Sequence, residues 1–287
     1  MDAALVGARF AHFAATMTLC GATFFAAVLA PASVRPDLSP WLRRLTAPLA
    51  LLSLGSALAW FCFVAQDMGD DGFGTDTLRD VALDTSFGRI WLGRLALLAL
   101  LLVSSLRPDR GWRAPALLAA LATASLGLVG HAAMQEGALG AAHRANHAGH
   151  LLVTSGWLGG LPPFLVCLIR FARDPTRRDA LAAMMRFSMV GHGAVAAVFA
   201  TGAFDILLTS GALPWPPDTP YRQGLCLKIA IVCAMTALAL FNRYVLAPRI
   251  GRSPAAVRAL AAGAFAEFAL ALAAVALVSG FATLDPR

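Results

Sequence analysis

The sequence is poor in charged residues, and lysine is almost absent. Only 14% of its 287 residues are charged, whereas soluble domains have about one quarter. With 59% hydrophobic residues and a mean hydropathy of +0.70, this deficit excludes an ordinary soluble domain and indicates a membrane protein. The single lysine, Lys228, belongs to no glycine-rich phosphate-binding loop, so the chain offers no site for ATP-driven chemistry.

Other absences narrow the fold class. The five cysteines lie in apolar stretches without a C-x-x-C pair, which excludes a disulfide framework. No series of segments alternates apolar and polar residues as the strands of a membrane barrel do. Repeats of fixed period and low-complexity tracts are also missing. A helical membrane bundle is the architecture that remains.

Long apolar runs are what the sequence has instead. A bilayer core about 30 Å thick needs about 20 helical residues, and eight runs approach or exceed that length. They cover residues 4–30, 41–66, 89–106, 114–132, 142–169, 181–208, 222–246 and 259–282. The first run lacks the features of a cleaved signal peptide, so we interpret it as a retained helix. We predict an all-α, polytopic bundle of eight transmembrane helices in a single domain over residues 1–287, with no soluble domain.

The distribution of arginine predicts how this bundle lies in the membrane. Fifteen of the 23 basic residues flank alternate connections. They are Arg35, Arg43, Arg44, Arg107, Arg110, Arg113, Arg170, Arg173, Arg177, Arg178, Arg186, Arg243, Arg249, Arg252 and Arg258. Because basic loops stay cytoplasmic, we expect both termini to face the periplasm. Charge placed in this way serves orientation, and we expect no nucleic-acid partner.

The connection between the second and third runs is acidic. Its six aspartates are Asp67, Asp70, Asp71, Asp76, Asp80 and Asp84. A solvated loop on the exterior face is one interpretation of this segment. Recruitment of cations or of a basic partner is the other.

Three of the six histidines form a stripe on the fifth predicted helix. His143, His147 and His150 are spaced i, i+4 and i+7, so they lie on one face within an arc of about 60°. His131 ends the preceding helix near Met134, and the short connection brings it within reach of this face. Three aligned imidazoles are costly in a membrane without a partner. Because imidazole binds copper, zinc, iron and nickel, the stripe predicts a metal site at the periplasmic mouth.

Histidine and methionine also occur together on two other helices. Met17 follows His12 by five residues, and Met189 precedes His192 by three. Because thioether sulfur selects copper(I), this mixture favours a copper ion, captured as Cu⁺ or Cu²⁺ and handed inward past weak sites. Packing is the other interpretation of each methionine, and a hydrogen bond between helices is the other interpretation of His12 and His192. We expect a transport function and no enzymatic activity.

Two alternatives to copper transport stay open. Paired histidines on facing helices can ligate haem b axially, as in a membrane redox protein. Against haem, the histidines crowd on one helix instead of forming two pairs across the membrane. A copper sensor or scaffold that binds the metal without moving it is the other alternative.

Two acids lie inside predicted spans and need partners. We expect Glu267 to pair with a nearby arginine. Asp205 has two interpretations, an ion pair with a basic residue of the next helix or an oxygen ligand on a cation path. The expected partners are Arg243 or Arg258 for Glu267, and Arg222 or Lys228 for Asp205.

Several segments resemble the copper-resistance protein D (CopD/PcoD) family. The segment from Thr85 to Trp91, with Arg94, is similar to its T-x-[FY]-G-x-x-W-x-x-R motif. His147-Ala-Gly-His150, followed by Trp157-Leu-Gly-Gly-Leu161, is similar to D-x-x-H…W-x-G-G-L, with His147 in place of the acid. Further matches are Arg186-Phe-Ser188, Thr201-Gly202, Thr219-Pro-Tyr221, Gly224, Lys228 and Asn242-Arg243.

This resemblance implies an eight-helix protein of the bacterial inner membrane that handles copper. It implies movement of copper from the periplasm toward the cytoplasm. It also implies a periplasmic copper-binding partner of the CopC type. The direction of movement and this partner come from the resemblance alone.

Overall fold

All regular elements of the chain are helices wherever its structure is described. The computed structural model describes residues 3–69, 74–107, 111–130, 134–174, 176–211 and 213–285, and these contain no strand. The helices in these ranges are α1 (Ala3–Leu29), α2 (Arg35–Met68), α3 (Thr75–Asp84), α4 (Ser86–Leu106), α5 (Arg113–Leu128), α6 (Gly137–Arg173), α7 (Arg178–Ser210), α8 (Pro220–Arg249) and α9 (Pro254–Phe281). The all-α prediction is confirmed for the described chain.

Seven of these helices are long and apolar enough to cross a membrane, namely α1, α2, α4, α6, α7, α8 and α9. They correspond to seven of the eight predicted spans, with ends that differ by a few residues. The predicted span 114–132 corresponds to α5, which is shorter because a four-residue 3₁₀ turn follows only 12 α-helical residues. Residues 131–133, which include the end of that span, lie outside the described residues.

The acidic connection contains a helix that the sequence pattern did not predict. In α3 the side chain of Val81 is buried against the core, whereas Asp76, Asp80 and Asp84 are exposed to solvent. The helix approaches α4 closely because Gly88 has no side chain there. A Cβ at Gly88 would lie 1.9 Å from the carbonyl oxygen of Val81. Asp70 and Asp71 lie outside the described residues.

The start of α4 is organised by the T-x-[FY]-G-x-x-W-x-x-R segment. The Thr85 hydroxyl accepts a hydrogen bond from the Gly88 backbone N–H at 2.9 Å and caps the helix. One turn later the indole N–H of Trp91 donates to the carbonyl of Ala57 at 2.9 Å, which ties α4 to α2. Arg94 lies on the same face and is buried. Each of these motif residues therefore has a structural role.

The central helix of the bundle is α1, which packs against α2, α5, α6 and α9. It crosses α6 at two glycines, Gly21 and Gly159. A Cβ at Gly21 would lie 2.6 Å from the Cα of Gly159, and a Cβ at Gly159 would lie 2.8 Å from the Cα of Gly21. Small residues allow the backbones of membrane helices to approach this closely.

Polar contacts define two ends of the bundle. At the arginine-rich end, Asp37 forms ion pairs with Arg170, at 3.0 Å, and with Arg177. The hydrogen bond to Asp37 raises the pKa of Arg177, which lies outside the spans. Trp112, just before α5, lies at this end too, because its indole N–H donates to Ser39 at 2.9 Å.

The opposite end is the histidine end, where α6 begins and α7 finishes. The side-chain amide of Gln135 donates to the carbonyl of Leu208 at 2.6 Å. Gln135 precedes α6, and Leu208 belongs to the last turn of α7. The chain between Trp112 and Gln135, most of it α5, therefore connects the arginine-rich end to the histidine end.

Candidate metal site at the histidine end

The histidine stripe of α6 packs against α7. Its side chains are buried at His143 and His150, which are 2% and 7% exposed, and partly exposed at His147. On α7, the carboxylate of Asp205 lies 2.8 Å from His147 Nδ1 and 3.8 Å from His143 Nε2. We refer to His143, His147, His150 and Asp205 as the outer histidine cluster.

Two imidazoles of this cluster are oriented by hydrogen bonds that their Nδ1 atoms donate to neighbouring side chains. His143 Nδ1 donates to the side-chain oxygen of Gln135 at 3.0 Å. His147 Nδ1 donates to Asp205 Oδ2 at 2.8 Å. In protein metal sites the ligating histidine commonly donates its other ring N–H to a carboxylate or carbonyl in this way. The Nε2 atoms are therefore the nitrogens that His143 and His147 can offer to a metal.

The third imidazole is oriented by a hydroxyl group. Thr201 donates its single hydroxyl hydrogen to the carbonyl of Ala197 at 2.6 Å. Its oxygen therefore acts as acceptor toward His150 Nδ1, which lies 2.8 Å away. This assigns the proton of His150 to Nδ1 and leaves its Nε2 lone pair available.

Asp205 accepts hydrogen bonds from two residues of α6 and not from the basic residues of the next helix. Besides His147, it accepts from Asn146 Nδ2 at 2.6 Å. Arg222 pairs instead with Asp218, four residues before it, at 2.9 Å. Lys228 forms no ion pair with Asp205 in the described structure either. Of the two interpretations of Asp205, the ion pair with Arg222 or Lys228 is not found among the described residues, because α6 supplies closer partners than α8. The oxygen ligand on a cation path stays a prediction.

The cluster does not form a ready-made metal cage. Within the described ranges, no group of three or more His, Cys, Asp or Glu side chains is placed to hold a metal ion. The imidazoles hydrogen-bond to α7 and to Gln135, so binding requires these side chains to rearrange. His131 lies outside the described residues. Met134 is 61% exposed at the same end of the bundle.

His12 lies in a different, fully buried network. Its Nδ1 donates to the carbonyl of Ser53 at 2.9 Å, and its Nε2 accepts from Arg94 Nε at 3.1 Å. Arg94 also donates to the carbonyl of Ala122 and, at 2.6 Å, to the hydroxyl of Ser125. Both ring nitrogens of His12 are thus occupied, and neither presents a lone pair to a metal in this arrangement.

His192 and Met189 do not converge on one point. His192 Nδ1 donates to the carbonyl of Ser188 at 2.8 Å, and its Nε2 accepts from the hydroxyl of Tyr244 at 2.9 Å. Met189 is 68% exposed on the outside of the bundle. The spacing along α7 therefore brings no thioether to the ring of His192.

A small cavity continues inward from the outer histidine cluster. We refer to this cavity of about 120 Å³ as the outer pocket. His150 and Lys228 line it toward the histidine end, and Met17, Met235 and Trp157 also line it. Met17 is 3% exposed, and Met235 is buried in the same core cluster. Two thioethers thus lie in the wall of the cavity that leads away from the imidazoles.

A second, larger cavity of about 1210 Å³, the inner cleft, lies beyond Trp157 and is bounded mainly by α6, α7, α8 and α9. The buried side chain of Glu267 lines it. Its carboxylate accepts from Trp157 Nε1 at 3.2 Å and from Asn242 Nδ2 at 2.7 Å. The predicted ion pair with Arg243 or Arg258 is wrong, because the carboxylate points toward α6 and the face of α8 that carries Asn242.

Comparison with known proteins decides the family. Residues 1–141 match the model of the copper resistance protein D-like N-terminal domain, and residues 181–281 match that of copper resistance protein D. The inner membrane protein YebZ of Escherichia coli is 36% identical over 294 residues, which is 98% of each chain. The chain belongs to the copper resistance protein D family. Its relative named copper resistance protein D, from Pseudomonas syringae pv. tomato, is 26% identical over 308 residues, or 100% of this chain and 98% of the relative.

Membership of the copper resistance protein D family confirms the resemblance noted in the sequence. The chain is an inner-membrane protein, and its family is linked to copper resistance. No solved structure matches it. Residues 142–180, which carry the histidine stripe and Trp157, lie between the two matched segments.

The sequence pattern did not place Asn146, Thr201 or Met235 near the histidine stripe, and it left Asp205 with two interpretations. Asn146 lies three residues after His143 and four before His150, so helical spacing could have identified it. Thr201 and Asp205 are spaced i, i+4 on α7, a signal that becomes useful once α7 is known to face α6. Met235 had no such signal, because no histidine lies near it in the sequence of α8.

Proposed function

We propose that the protein binds copper at the outer histidine cluster and moves it across the inner membrane toward the cytoplasm. The observation that carries the proposal is the convergence of three imidazoles and Asp205 at one end of the bundle, in a chain of the copper resistance protein D family. Imidazole nitrogen binds both oxidation states of copper, and carboxylate oxygen favours Cu²⁺. The protein acts as a transporter and not as an enzyme.

The proposed ligands are the Nε2 atoms of His143, His147 and His150, with His131 as a further imidazole. The Nδ1 hydrogen bonds that orient these rings support this set, because they fix which nitrogen faces the ion. Below the cluster, the route follows the outer pocket toward the thioether of Met17, which favours Cu⁺. A periplasmic copper-binding protein of the CopC type is the proposed donor.

The proposed topology has eight crossings, with both termini in the periplasm. The contacts of Trp112 and Gln135 with opposite ends of the bundle support a crossing by α5 and the residues that follow it. The arginine clusters at the other connections support a cytoplasmic arginine-rich end. In this orientation the outer histidine cluster faces the periplasm, where copper is captured.

The direct test is copper binding by the detergent-purified protein. Replacing His131, His143, His147 and His150 together with alanine is expected to abolish the high-affinity site. His192→Ala is the matched control, because it removes an imidazole whose two nitrogens are already engaged, and it should bind copper normally. Unchanged stoichiometry and affinity in the fourfold variant would refute the site.

Two further readouts separate this function from the alternatives. Purified protein that is red, with a Soret absorbance band, would indicate haem b in place of a copper site. Protein that binds copper but gives no copper flux in proteoliposomes would indicate a sensor or scaffold. Flux that requires the outer histidine cluster is the outcome expected here.

A further inference from the structure

Glu267 occupies a junction between the two cavities of the bundle. Its carboxylate lines the inner cleft and accepts from the indole N–H of Trp157. Trp157 lines both the inner cleft and the outer pocket, which reaches His150. Glu267 is 4% exposed, so a buried carboxyl group contacts the residue that borders both cavities.

The charge of this carboxylate is not balanced by a cation. No Lys, Arg or His nitrogen of the described residues lies within 4.0 Å of Glu267. Its hydrogen-bond donors, Trp157 and Asn242, are both neutral. Because a buried carboxylate without a cation is costly, the site gains stability when it takes up a proton or another cation.

Asn242 can satisfy the carboxyl group in both protonation states. As described, its Nδ2 donates to Glu267 Oε1 at 2.7 Å, which suits the carboxylate. Its Oδ1 is buried and has no hydrogen-bond partner. A rotation of the amide by 180° would turn that oxygen toward Glu267, where it accepts the O–H of the protonated acid. A protonated carboxyl group needs such an acceptor.

The backbone of α9 permits Asn242 to lie this close. Gly263 lies one helical turn before Glu267, and a Cβ at Gly263 would come within 2.3 Å of Asn242 Oδ1. Any side chain there would displace the amide from the carboxylate. The carboxylate therefore has two uncharged hydrogen-bond partners, Trp157 and Asn242, at a site that Gly263 keeps open. Asn242 can hydrogen-bond to Glu267 whether the carboxyl group carries a proton or not.

We propose that Glu267 binds and releases a proton during transport, so that copper movement is coupled to proton movement. This inference rests on the proposed transport function. The proton adds to a carboxylate oxygen from water that reaches one cavity and returns from the acid to water on the other side, with no other bond formed or broken. The position of Trp157 between the cavities makes its indole the group that separates the two access paths.

Other titratable groups around the inner cleft define the controls. Arg243 and Tyr244 of α8, His192 of α7 and Cys20 of α1 line it, whereas α6 adds no titratable side chain to the described lining. In the outer pocket the corresponding groups are His147, His150 and Lys228. A proton dependence that arises from any of these groups would persist when Glu267 is replaced.

The experiment uses the full chain in proteoliposomes with a pH-sensitive dye inside. For the unmodified protein, addition of copper should produce proton movement that follows copper flux. Glu267→Gln keeps the size and polarity of the side chain but cannot titrate. It should abolish the copper-dependent proton movement while leaving copper affinity at the outer histidine cluster within about twofold. Glu136→Gln changes the only other glutamate, which is exposed before α6, and should behave as the unmodified protein.

A second measurement tests Glu267 without transport. The infrared carboxyl band of the purified protein should contain a component that titrates with pH and is lost in Glu267→Gln. Trp157→Phe keeps an aromatic ring but removes the N–H donor, so it should shift the midpoint of that titration. If Glu267→Gln fails to fold, the shifted midpoint in Trp157→Phe still tests whether the titrating carboxyl group is Glu267.

The outcomes distinguish the two proposals. Copper flux without proton movement in the unmodified protein would overturn the coupling and leave the transport function intact. Absence of copper flux would refute the transport function and, with it, coupling. No titrating carboxyl component assignable to Glu267 would refute the proton site itself.

Discussion

Replacing Gly159 with alanine should destabilise the protein because two helices cross there without side chains. The added Cβ would lie 2.5 Å from the carbonyl oxygen of Thr18 and 2.7 Å from that of Met17. All of its near neighbours are backbone atoms of α1, so no side chain can rotate away. The helices must separate until these contacts reach at least 3.0 Å, a shift of several tenths of an ångström along the whole crossing.

The expected cost follows from the measured effect of overfilling a packed interior. Overpacking of this kind costs about 1–3 kcal/mol. In a chain of this size each kcal/mol lowers the melting temperature by roughly 2–4 °C, so Gly159→Ala should melt on the order of 2–12 °C lower. Gly21→Ala should behave in the same way, because its Cβ would come 2.1 Å from the carbonyl oxygen of Ser155.

Thermal unfolding of the detergent-solubilised protein, followed by circular dichroism, measures this effect. Gly156→Ala is the matched control, because it lies on the same helix with nothing within 4 Å of the added Cβ. It should leave the melting temperature unchanged or raise it slightly, since alanine favours helix over glycine. Equal melting temperatures for the Gly156 and Gly159 variants would refute the close crossing of α1 and α6.

Three further predictions concern other parts of the bundle. Arg94→Lys should lower the free energy of unfolding by about 3 kcal/mol, because one ammonium group cannot donate to His12 and to the partners on α5 together. Exposed Arg89→Lys is the control, and equal melting temperatures of the two variants would contradict the buried hydrogen-bond network of Arg94. Asp205→Asn should weaken copper binding about 10- to 100-fold in a chelator competition, because it removes the negative charge and one of the two oxygens that accept from Asn146 and His147. Unchanged affinity would exclude Asp205 from the site. A reporter fused to the C-terminus should be active in the periplasm, and cytoplasmic activity would reverse the proposed topology.

The helical spacing of the sequence predicted which residues share one face of a helix. It did not predict which residues of two neighbouring helices contact each other. The alignment of His143, His147 and His150 follows from the period of the helix alone. Their partners on α7 depend on how that helix is rotated, which no local pattern specifies. The expected arginine partners of Glu267 show the same limit, since charge complementarity favoured them and packing supplied Trp157 and Asn242.

The structure differs from the sequence-based prediction at α3 and at the predicted span 114–132, and both differences have local causes. The acidic connection lacks a long apolar run, so the sequence pattern predicts no helix where α3 lies. Its buried Val81 and partly buried Leu78 and Ala82 pack against the core on one face of a short amphipathic helix. The predicted span 114–132 continues past Ser125 because the sequence stays hydrophobic there, whereas the α-helix gives way to a 3₁₀ turn at that residue.

The length of α6 has a consequence for how an ion loses its water. At 37 residues the helix is about 55 Å long, well beyond a hydrocarbon core of about 30 Å. Counting about 20 residues back from Arg170, at the arginine-rich end, reaches His150. His147 and His143 then lie about one and two turns farther along the helix, with His147 partly exposed and His143 buried. In the proposed transport, imidazole nitrogens at successive depths of one helix would replace the water molecules of the ion one after another, so dehydration would proceed in small steps instead of at a single barrier.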